Sequence, residues 1–161
     1  MAKKMLKTAE NTSVVLTLFN VGDILCGVNT SHVREIIKHF DITNVPGAPE
    51  YVRGVLNLRG RILTIIDLRN KFGLESLAIS HRMGIVVISS EGEDIGLLVD
   101  VVKDVVTADS NHLKPLRSNI GEVTGRFFSH ILKMKKERVA VLNLDQLLKS
   151  EAGFFGQAGG L

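Results

Sequence analysis

The sequence contains a single cysteine, Cys26, so a disulfide within the chain is impossible. One thiol fits a reducing, cytoplasmic setting, because disulfides accumulate in oxidising compartments. The basic stretch at residues 1–7 is not followed by the apolar segment of a secretory signal. No apolar run approaches the ~20 residues that a membrane-spanning helix needs. We therefore expect a cytoplasmic protein that does not insert directly into a membrane.

Aromatic residues are also scarce. Tryptophan is absent, Tyr51 is the only tyrosine, and aromatic residues make up 5% of the 161 positions. Hydrophobic residues still make up 45%, so the core must consist mainly of Val, Ile and Leu, a composition that favours strands. Small β-barrels with a basic pI, here about 9.1, can bind nucleic acid, but they need aromatic platforms on which bases stack. Nucleic-acid binding is therefore only a remote alternative.

Neither sign of charge is in large excess. The sequence has 20 basic and 17 acidic residues, for a formal net charge of +3. The densest basic cluster is Lys133-Met134-Lys135-Lys136, with Arg138 just after it. Surfaces that bind nucleic acid or acidic membranes usually carry a longer basic stripe. The short cluster therefore indicates a solvated hairpin turn.

No motif for catalysis, a cofactor or a metal ion is present. None of the five histidines has the i, i+4 partner of a zinc-binding helix. Three histidines follow a serine, but adjacent residues on a strand point to opposite faces, so these pairs are poorly placed as nucleophile and base. Cys26 lies in an apolar run, where a buried and inert thiol is expected. The sequence predicts a protein that is not an enzyme.

Short apolar runs separated by turns indicate an all-β protein. About nine or ten of these runs have the length and composition of strands, and few residues between them are typical of helices. Residues 1–12 are predicted to form a flexible N-terminus and residues 151–161 a flexible, glycine-rich tail. The ordered part is then a single domain at 13–150.

Residues 75–82 resemble a linker that divides this domain. The prediction is a first barrel at about 13–79, a second barrel at about 80–144 and a C-terminal helix at 145–150. Each barrel is too small to hold a large core alone, so the two are expected to pack together with a groove between them.

Helix-capping residues predict three short helical segments. Asn29-Thr30-Ser31 supply N-cap chemistry for a short helix or turn through residues 32–35. Asp67 is placed to cap a helix at 68–72, and Asp145 is placed to cap the C-terminal helix.

The most informative stretch is residues 52–68, where two β-branched, aliphatic runs meet at Gly60. Glycine lets the chain reverse because it adopts positive φ without a side-chain penalty. Asn57 and Arg59 are two residues apart, so a strand would place both side chains on one face. A polar pair on an apolar hairpin predicts either a solvated surface or a contact with a partner.

Several motifs, in their order and spacing, resemble those of the CheW family of chemotaxis coupling proteins over about residues 14–148. The motifs that carry the resemblance are Gly54-Val55-Leu56-Asn57-Leu58-Arg59-Gly60, Ile65-Ile66-Asp67-Leu68-Arg69, Phe72-Gly73, Val33-Arg34-Glu35-Ile36, Pro46 with Ala48-Pro49, Leu98-Val99-Asp100 with Val105, and Asn143-Leu144-Asp145 with Leu147-Leu148.

The resemblance implies two packed five-stranded barrels of the Src-homology 3 (SH3) type, with short helices. It implies a non-catalytic adaptor that couples the cytoplasmic tips of methyl-accepting chemotaxis receptors to the histidine kinase CheA, through the kinase's own CheW-like domain. Such proteins are cytoplasmic and associate with membrane-bound receptor arrays. The alternative is an adaptor of the same type in a different receptor–kinase pathway, for motility or developmental signalling.

The family's receptor site is a groove near the junction of the barrels. Carried over by position, the resemblance implies these receptor-binding residues: Val33, Glu35, Ile36, Gly54, Asn57, Arg59, Gly84 and Ile85. Ile36 and Ile85 would anchor a receptor helix, and Arg59 would bind a carboxylate or carbonyl in a forked geometry. The alternatives are ordinary core positions for the two isoleucines, and a solvated turn or an internal pair with Glu35 for Arg59.

The kinase-facing surface is expected on the first barrel, without named residues. Three features depart from the family pattern: Cys26 in place of an aromatic residue, Ser129-His130 in place of Thr-Gly, and the lysine-rich turn at 133–136 in place of a turn that contains glycine. The last two lie on the final hairpin, so the family's pattern is not expected to hold there. They predict that this hairpin affects which partner is bound.

Overall fold

The computed structural model describes residues 12–116 and 123–149. Their regular elements are mostly strands, with two short α-helices and three 3-10 helices between them. The strands are β1 (Ser13–Val21), β2 (Ile24–Asn29), β3 (Val33–Ile37), β4 (Val52–Leu58), β5 (Arg61–Asp67), β6 (Gly84–Ser90), β7 (Glu93–Val99), β8 (Val101–Asp109), β9 (Leu113–Pro115), β10 (Phe128–Lys133) and β11 (Arg138–Leu142). The helices are α1 (Leu68–Lys71), α2 (Leu144–Leu148) and the 3-10 turns Thr30–His32, Ser110–His112 and Val123–Phe127.

These strands form two sheets whose members interleave along the chain. The five-stranded sheet has the order β3-β6-β7-β5-β4, and the six-stranded sheet has the order β9-β10-β11-β2-β1-β8. The predicted all-β class, with two packed subdomains and few short helices, is confirmed. One subdomain has six strands where five were expected, because the three-residue β9 pairs with β10.

The predicted division into a first barrel at 13–79 and a second at 80–144 is wrong. The five-stranded sheet is built from the middle of the chain, and β5 pairs in parallel with β7 across the supposed linker. The other sheet joins strands from the first and last parts of the described chain, where β11 pairs in parallel with β2. Residues 75–82 instead belong to a crossover within one sheet, which leads from β5 past β7 to β6.

The largest hydrophobic cluster lies between the sheets and holds them together. Phe19 and Val28 reach it from the six-stranded sheet, and Ile66 and Leu97 reach it from the five-stranded sheet. Each sheet also encloses a smaller cluster of its own. Phe72, just after α1, extends the contact by packing on two consecutive phenylalanines, with ring centroids 6.1 and 5.3 Å away.

The crossover is held in place by one buried carboxylate. Asp67 caps α1 by accepting a hydrogen bond from the Arg69 backbone N–H at 3.0 Å, which confirms the predicted cap. The other Asp67 oxygen lies 3.1 Å from the Arg53 guanidinium and accepts a 2.7 Å hydrogen bond from the Ser76 hydroxyl. Arg53 also donates to the Leu77 carbonyl at 2.8 Å, so the crossover is fixed to β4 and β5.

The other two helix predictions need correction. The predicted short helix or turn through 32–35 is only a 3-10 turn at Thr30–His32, capped by Asn29. Residues 33–35 are instead the start of β3, because pairing with β6 overrides the local signal. Helix α2 begins one residue before the prediction, and its cap is Asn143 rather than Asp145. The predicted flexible ends fall mainly on residues 1–11 and 150–161, which lie outside the described residues. Within the part of the chain that the structure describes, no helix is long and apolar enough to cross a membrane.

Candidate functional site

The β4–β5 hairpin ends in a two-residue turn made of Arg59 and Gly60. Leu58 and Arg61 pair directly, and both turn residues have positive φ, 51° and 86°. A type I′ turn requires positive φ at both central positions, and its twist matches that of the strands. Asn57 stabilises this turn, because its Oδ1 accepts a 3.0 Å hydrogen bond from the Gly60 N–H. The predicted alignment of Asn57 and Arg59 along one strand is wrong, since β4 ends at Leu58.

Arg59 forms an ion pair with Glu35 on β3, between its Nη2 and the Glu35 Oε1. The internal pair, one of the alternatives for Arg59, is therefore present. The pair remains open to solvent, because 69% of the Arg59 side chain and 34% of the Glu35 side chain are exposed. A guanidinium has five N–H donors in a fixed fork. Arg59 therefore keeps donors free for a partner while Glu35 orients it.

A second carboxylate organises the charges beside this pair. Asp94 lies 3.1 Å from the Arg61 guanidinium and 3.7 Å from Arg34 Nε. Asp94 is largely buried and both arginines are mostly exposed. A small cavity of about 170 Å³ lies next to Arg61 and is partly lined by Ile62, which is exposed. This end of the five-stranded sheet therefore presents charged side chains next to an apolar one.

The two predicted apolar anchors lie in opposite environments. Ile36 is 36% exposed on the edge strand β3, so its side chain is accessible to a partner. Ile85 is fully buried on β6, between strands on both sides, so it occupies a core position in this conformation. Gly84 is also buried, and a Cβ there would lie 2.6 Å from the Val102 side chain. The structure thus brings Ile36 to the surface and keeps Gly84 and Ile85 inside.

Gly54 and Val33 support this surface from within. The β4–β5 register shifts between Val52 and Gly54, and Gly54 has a φ of 150°. A Cβ at Gly54 would lie 2.2 Å from the Thr43 carbonyl oxygen, so only glycine fits there. The close approach lets Thr43 pair with Val55 through two 2.8 Å backbone hydrogen bonds. Val33, half-buried, packs on the core at the start of β3.

One exposed apolar residue next to the junction of the sheets, Val105, was missing from the predicted site. Val105 is 56% exposed on β8. The β1–β8 register shifts so that Thr17 faces Val105 and Phe19 faces Val102, which places both valines on one face. Val102 touches the position of Gly84, so this face adjoins β6. No signal in the sequence indicates this exposure, because Val105 is followed by another valine in an apolar run and a bulge is not readable from sequence.

Ser129 and His130 form a hydrogen bond of 2.8 Å between Oγ and Nδ1, although adjacent strand residues were expected to point apart. The expectation fails because the β10 register shifts between Phe128 and His130. The pair lines a cavity of about 600 Å³ that His32 and Glu91 also line. No carboxylate contacts His130 among the described residues, so the pair lacks the third group of a catalytic triad.

Metal and thiol chemistry find no support either. Among residues 12–116 and 123–149, no group of three His, Cys, Asp or Glu side chains is arranged to hold a metal ion. Cys26 is fully buried, as predicted. Burial, with a smaller contribution from the Asp100 carboxylate, raises the pKa of the Cys26 thiol far above its usual range. The thiol is therefore protonated and unreactive in the folded protein.

Comparisons with known proteins match this architecture. The sequence model of the CheW-like domain matches residues 16–152. The chain is 33% identical to the chemotaxis protein CheW of Rhizobium meliloti (strain 1021) over 136 residues, which cover 84% of this chain and 88% of that protein. It is 27% identical to CheW of Bacillus subtilis (strain 168) over 146 residues, which cover 90% and 94%.

The structure is similar to the crystal structure of the scaffolding protein TtCheW from Thermoanaerobacter tengcongensis. The TM-score is 0.79 at 29% sequence identity, and the match covers 86% of this chain and 94% of that one. The family match spans most of the chain, and the fold agrees with it. The protein therefore belongs to the family of CheW-like domains.

Proposed function

We propose that this protein is a non-catalytic adaptor that couples methyl-accepting chemotaxis receptors to the histidine kinase CheA. The observation that carries the proposal is the exposed Arg59–Glu35 pair beside exposed Ile36, within a CheW-like domain that spans residues 16–152.

The receptor contact would use the exposed members of the site. A helical hairpin laid against a protein surface needs a few apolar anchors and polar groups that fix its orientation. Ile36 and Val105 supply apolar contacts, and Arg59 and Glu35 supply the polar ones. Asn57 acts indirectly, because it holds the turn that presents Arg59.

The remaining predicted residues act through the shape of this surface. Gly54, Gly84 and Ile85 set the spacing of β4, β6 and the segment at residue 43. Substitutions at these positions would disturb receptor binding by moving the strands that carry the contact residues. They are positioning residues rather than contacts.

The kinase contact would be made with the kinase's own CheW-like domain, and the adaptor would work in the cytoplasm at membrane-bound receptor arrays. The two-subdomain fold offers a surface on each sheet. A receptor bound to the five-stranded sheet and to Val105 on the edge strand β8 leaves the opposite end of the six-stranded sheet, β9 to β11, open for a second protein. An adaptor requires two surfaces of this kind.

Retention of purified protein by kinase and receptor cytoplasmic fragments tests the proposal. We expect both fragments to bind, and Arg59→Ala to weaken receptor binding with little change in the unfolding midpoint. Arg82→Ala is the matched control, because Arg82 is exposed and lies outside the proposed site. If neither fragment is retained even at high protein concentration, the proposal fails.

A second candidate keeps the scaffold but places it in another receptor–kinase pathway, for motility or developmental signalling. The lysine-rich turn and the Ser129–His130 pair favour this candidate, because both lie on the final hairpin, which departs from the family pattern. The kinase that the protein retains distinguishes the two candidates, since each pathway has its own kinase.

A further inference from the structure

The turn between β10 and β11, taken together with the strand ends beside it as residues 133–138, is densely basic; we call it the basic turn. Its four cations are all exposed, and none has an ion-pair partner among the described residues; they are Lys133, Lys135, Lys136 and Arg138. Glu137 is the only carboxylate in the turn. By contrast, the exposed arginines Arg34, Arg59 and Arg61 each form an ion pair with a carboxylate.

The basic turn accounts for the whole net charge of the protein. It holds four of the 20 basic residues and one of the 17 acidic residues, so its formal charge is +3. The rest of the chain has sixteen residues of each sign and is formally neutral. A single-sign field on an otherwise balanced surface attracts an oppositely charged partner and steers its approach.

A backbone hydrogen bond and core contacts fix the position of the basic turn. The Met134 N–H donates a 2.8 Å hydrogen bond to the Glu137 carbonyl, which leaves Lys135 and Lys136 at the outermost point. Behind them, Leu132 and Val139 are buried in the core of the six-stranded sheet. The cations are therefore presented from a fixed base.

The arrangement also works against stability. Lys133 and Arg138 face each other directly across the β10–β11 ladder. Like charges in directly opposed positions destabilise a strand pair. A turn that served only to reverse the chain would be more stable with a neutral or acidic residue at one of these positions, so the charge itself calls for a function.

We propose that the basic turn is a docking surface for an acidic surface of the partner kinase, separate from the receptor contact. The inference rests on the proposed function, which supplies the kinase. The kinase is favoured over the receptor because Glu35, Ile36 and Arg59 belong to the five-stranded sheet and its turn, whereas the basic turn belongs to the six-stranded sheet. Val105, the one proposed receptor contact on the six-stranded sheet, lies on β8, at the opposite end of the strand order from β9 and β10.

A protein surface fits the basic turn better than nucleic acid or lipid. None of its six residues is aromatic, so bases have nothing to stack on. Its only apolar side chain, Met134, is half-buried and packs on the core, so it does not insert into a bilayer. Exposed cations around a shallow hollow fit carboxylates spread over a folded surface.

The test compares the wild type with Lys135→Glu/Lys136→Glu. The control is Arg82→Glu/Lys149→Glu, which changes the net charge equally at exposed residues outside the turn. Calorimetry measures the affinity for the kinase regulatory fragment and for the receptor fragment. Salt is set at about 0.01 M and about 0.15 M, where the Debye length is about 30 and about 8 Å. Thermal unfolding confirms that all variants fold.

We expect the basic-turn variant to bind the kinase about tenfold more weakly than the wild type and to lose most of the salt dependence. The control should match the wild type, and receptor affinity should be unchanged in both variants. If kinase affinity and its salt dependence match the wild type, or if the control loses as much, the inference is overturned while the proposed function stands.

Two further outcomes also overturn it. One is a loss of receptor affinity instead of kinase affinity. The other is that the wild type binds single-stranded DNA or anionic phospholipid vesicles, whereas the basic-turn variant does not bind them but still binds the kinase normally. Failure of the wild type to bind either protein fragment is the separate result that overturns the proposed function.

Discussion

The ion pair between Arg59 and Glu35 connects the two edges of the five-stranded sheet. Glu35 lies on β3, the first strand in the sheet order, and Arg59 lies in the turn that follows β4, the last strand. The sheet is therefore curled until its edges meet, as in a barrel. This closure brings the turn that carries Arg59 against β3, the strand that also carries the exposed Ile36, although Ile36 and Arg59 are 23 positions apart in sequence.

The Arg59–Glu35 pair is expected to matter for binding far more than for stability. Exposed ion pairs contribute about 0.2–1 kcal/mol, so a double-mutant cycle with Arg59→Ala and Glu35→Ala should give a coupling free energy of unfolding below about 1 kcal/mol. Denaturant titration measures it. Arg59→Lys should restore this coupling but not receptor affinity, because lysine lacks the planar fork. Full binding by Arg59→Lys would contradict the proposed contact.

Ile36 and Ile85 form a matched pair for separating contact from core. Ile36→Ala should weaken receptor binding and change the free energy of unfolding by less than about 1 kcal/mol, because the side chain is already partly exposed. Ile85→Ala should cost about 2–5 kcal/mol of stability, since it opens a cavity in a closed core. Equal stability losses at the two positions would show that Ile36 is also a core residue.

Gly54 is expected to tolerate no side chain. Gly54→Ala forces a Cβ to within 2.2 Å of the Thr43 carbonyl oxygen, so the segment at residue 43 must separate from β4. We expect a loss of more than about 3 kcal/mol, comparable to a severe core substitution. Gly60→Ala is the control, because Gly60 also has positive φ but no neighbour within 4 Å. Strain alone should cost Gly60→Ala about 1–2 kcal/mol, and thermal unfolding compares the two.

Local features of the fold were predictable because their causes are local. The reversal at Gly60 follows from positive φ, and the cap of α1 follows from the short Asp67 side chain next to free backbone N–H groups. The burial of Cys26 follows from its apolar neighbours. The proposed receptor-binding residues Ile36 and Arg59, by contrast, came from a family resemblance, and only the structure separates their exposed side chains from buried Ile85.

The sheet membership of the strands was not predictable in the same way. The parallel pairs of β5 with β7 and β2 with β11 join residues far apart in sequence, and no local pattern specifies them. Register shifts add one residue at Phe128–His130 and at Val102–Val105, which turns side chains toward a face that simple alternation does not predict. The Ser129–His130 contact and the orientation of Val105 depend on these shifts.

Cys26 gives the fold a specific alkaline sensitivity. Burial, then the Asp100 carboxylate, raises the pKa of this thiol in the folded state, whereas the thiol of the unfolded chain has a pKa of about 8.5. Above that pH the unfolded chain loses a proton that the folded protein keeps, so the free energy of unfolding falls as pH rises. Below it both states are protonated, and Cys26 contributes no pH dependence.

The size of this effect follows from the linkage relation. Each pH unit above the unfolded pKa should reduce stability by up to about 1.4 kcal/mol through this one group. Lysine and tyrosine titrations also act at high pH, so the measurement is the difference between the wild type and Cys26→Ala in urea unfolding at pH 7 to 10. The variant should be less stable than the wild type at neutral pH, because it opens a small cavity, and the difference should shrink as pH rises. A constant difference would mean that the folded thiol ionises normally, and the native thiol would then react with iodoacetamide near pH 9 as fast as the unfolded chain does.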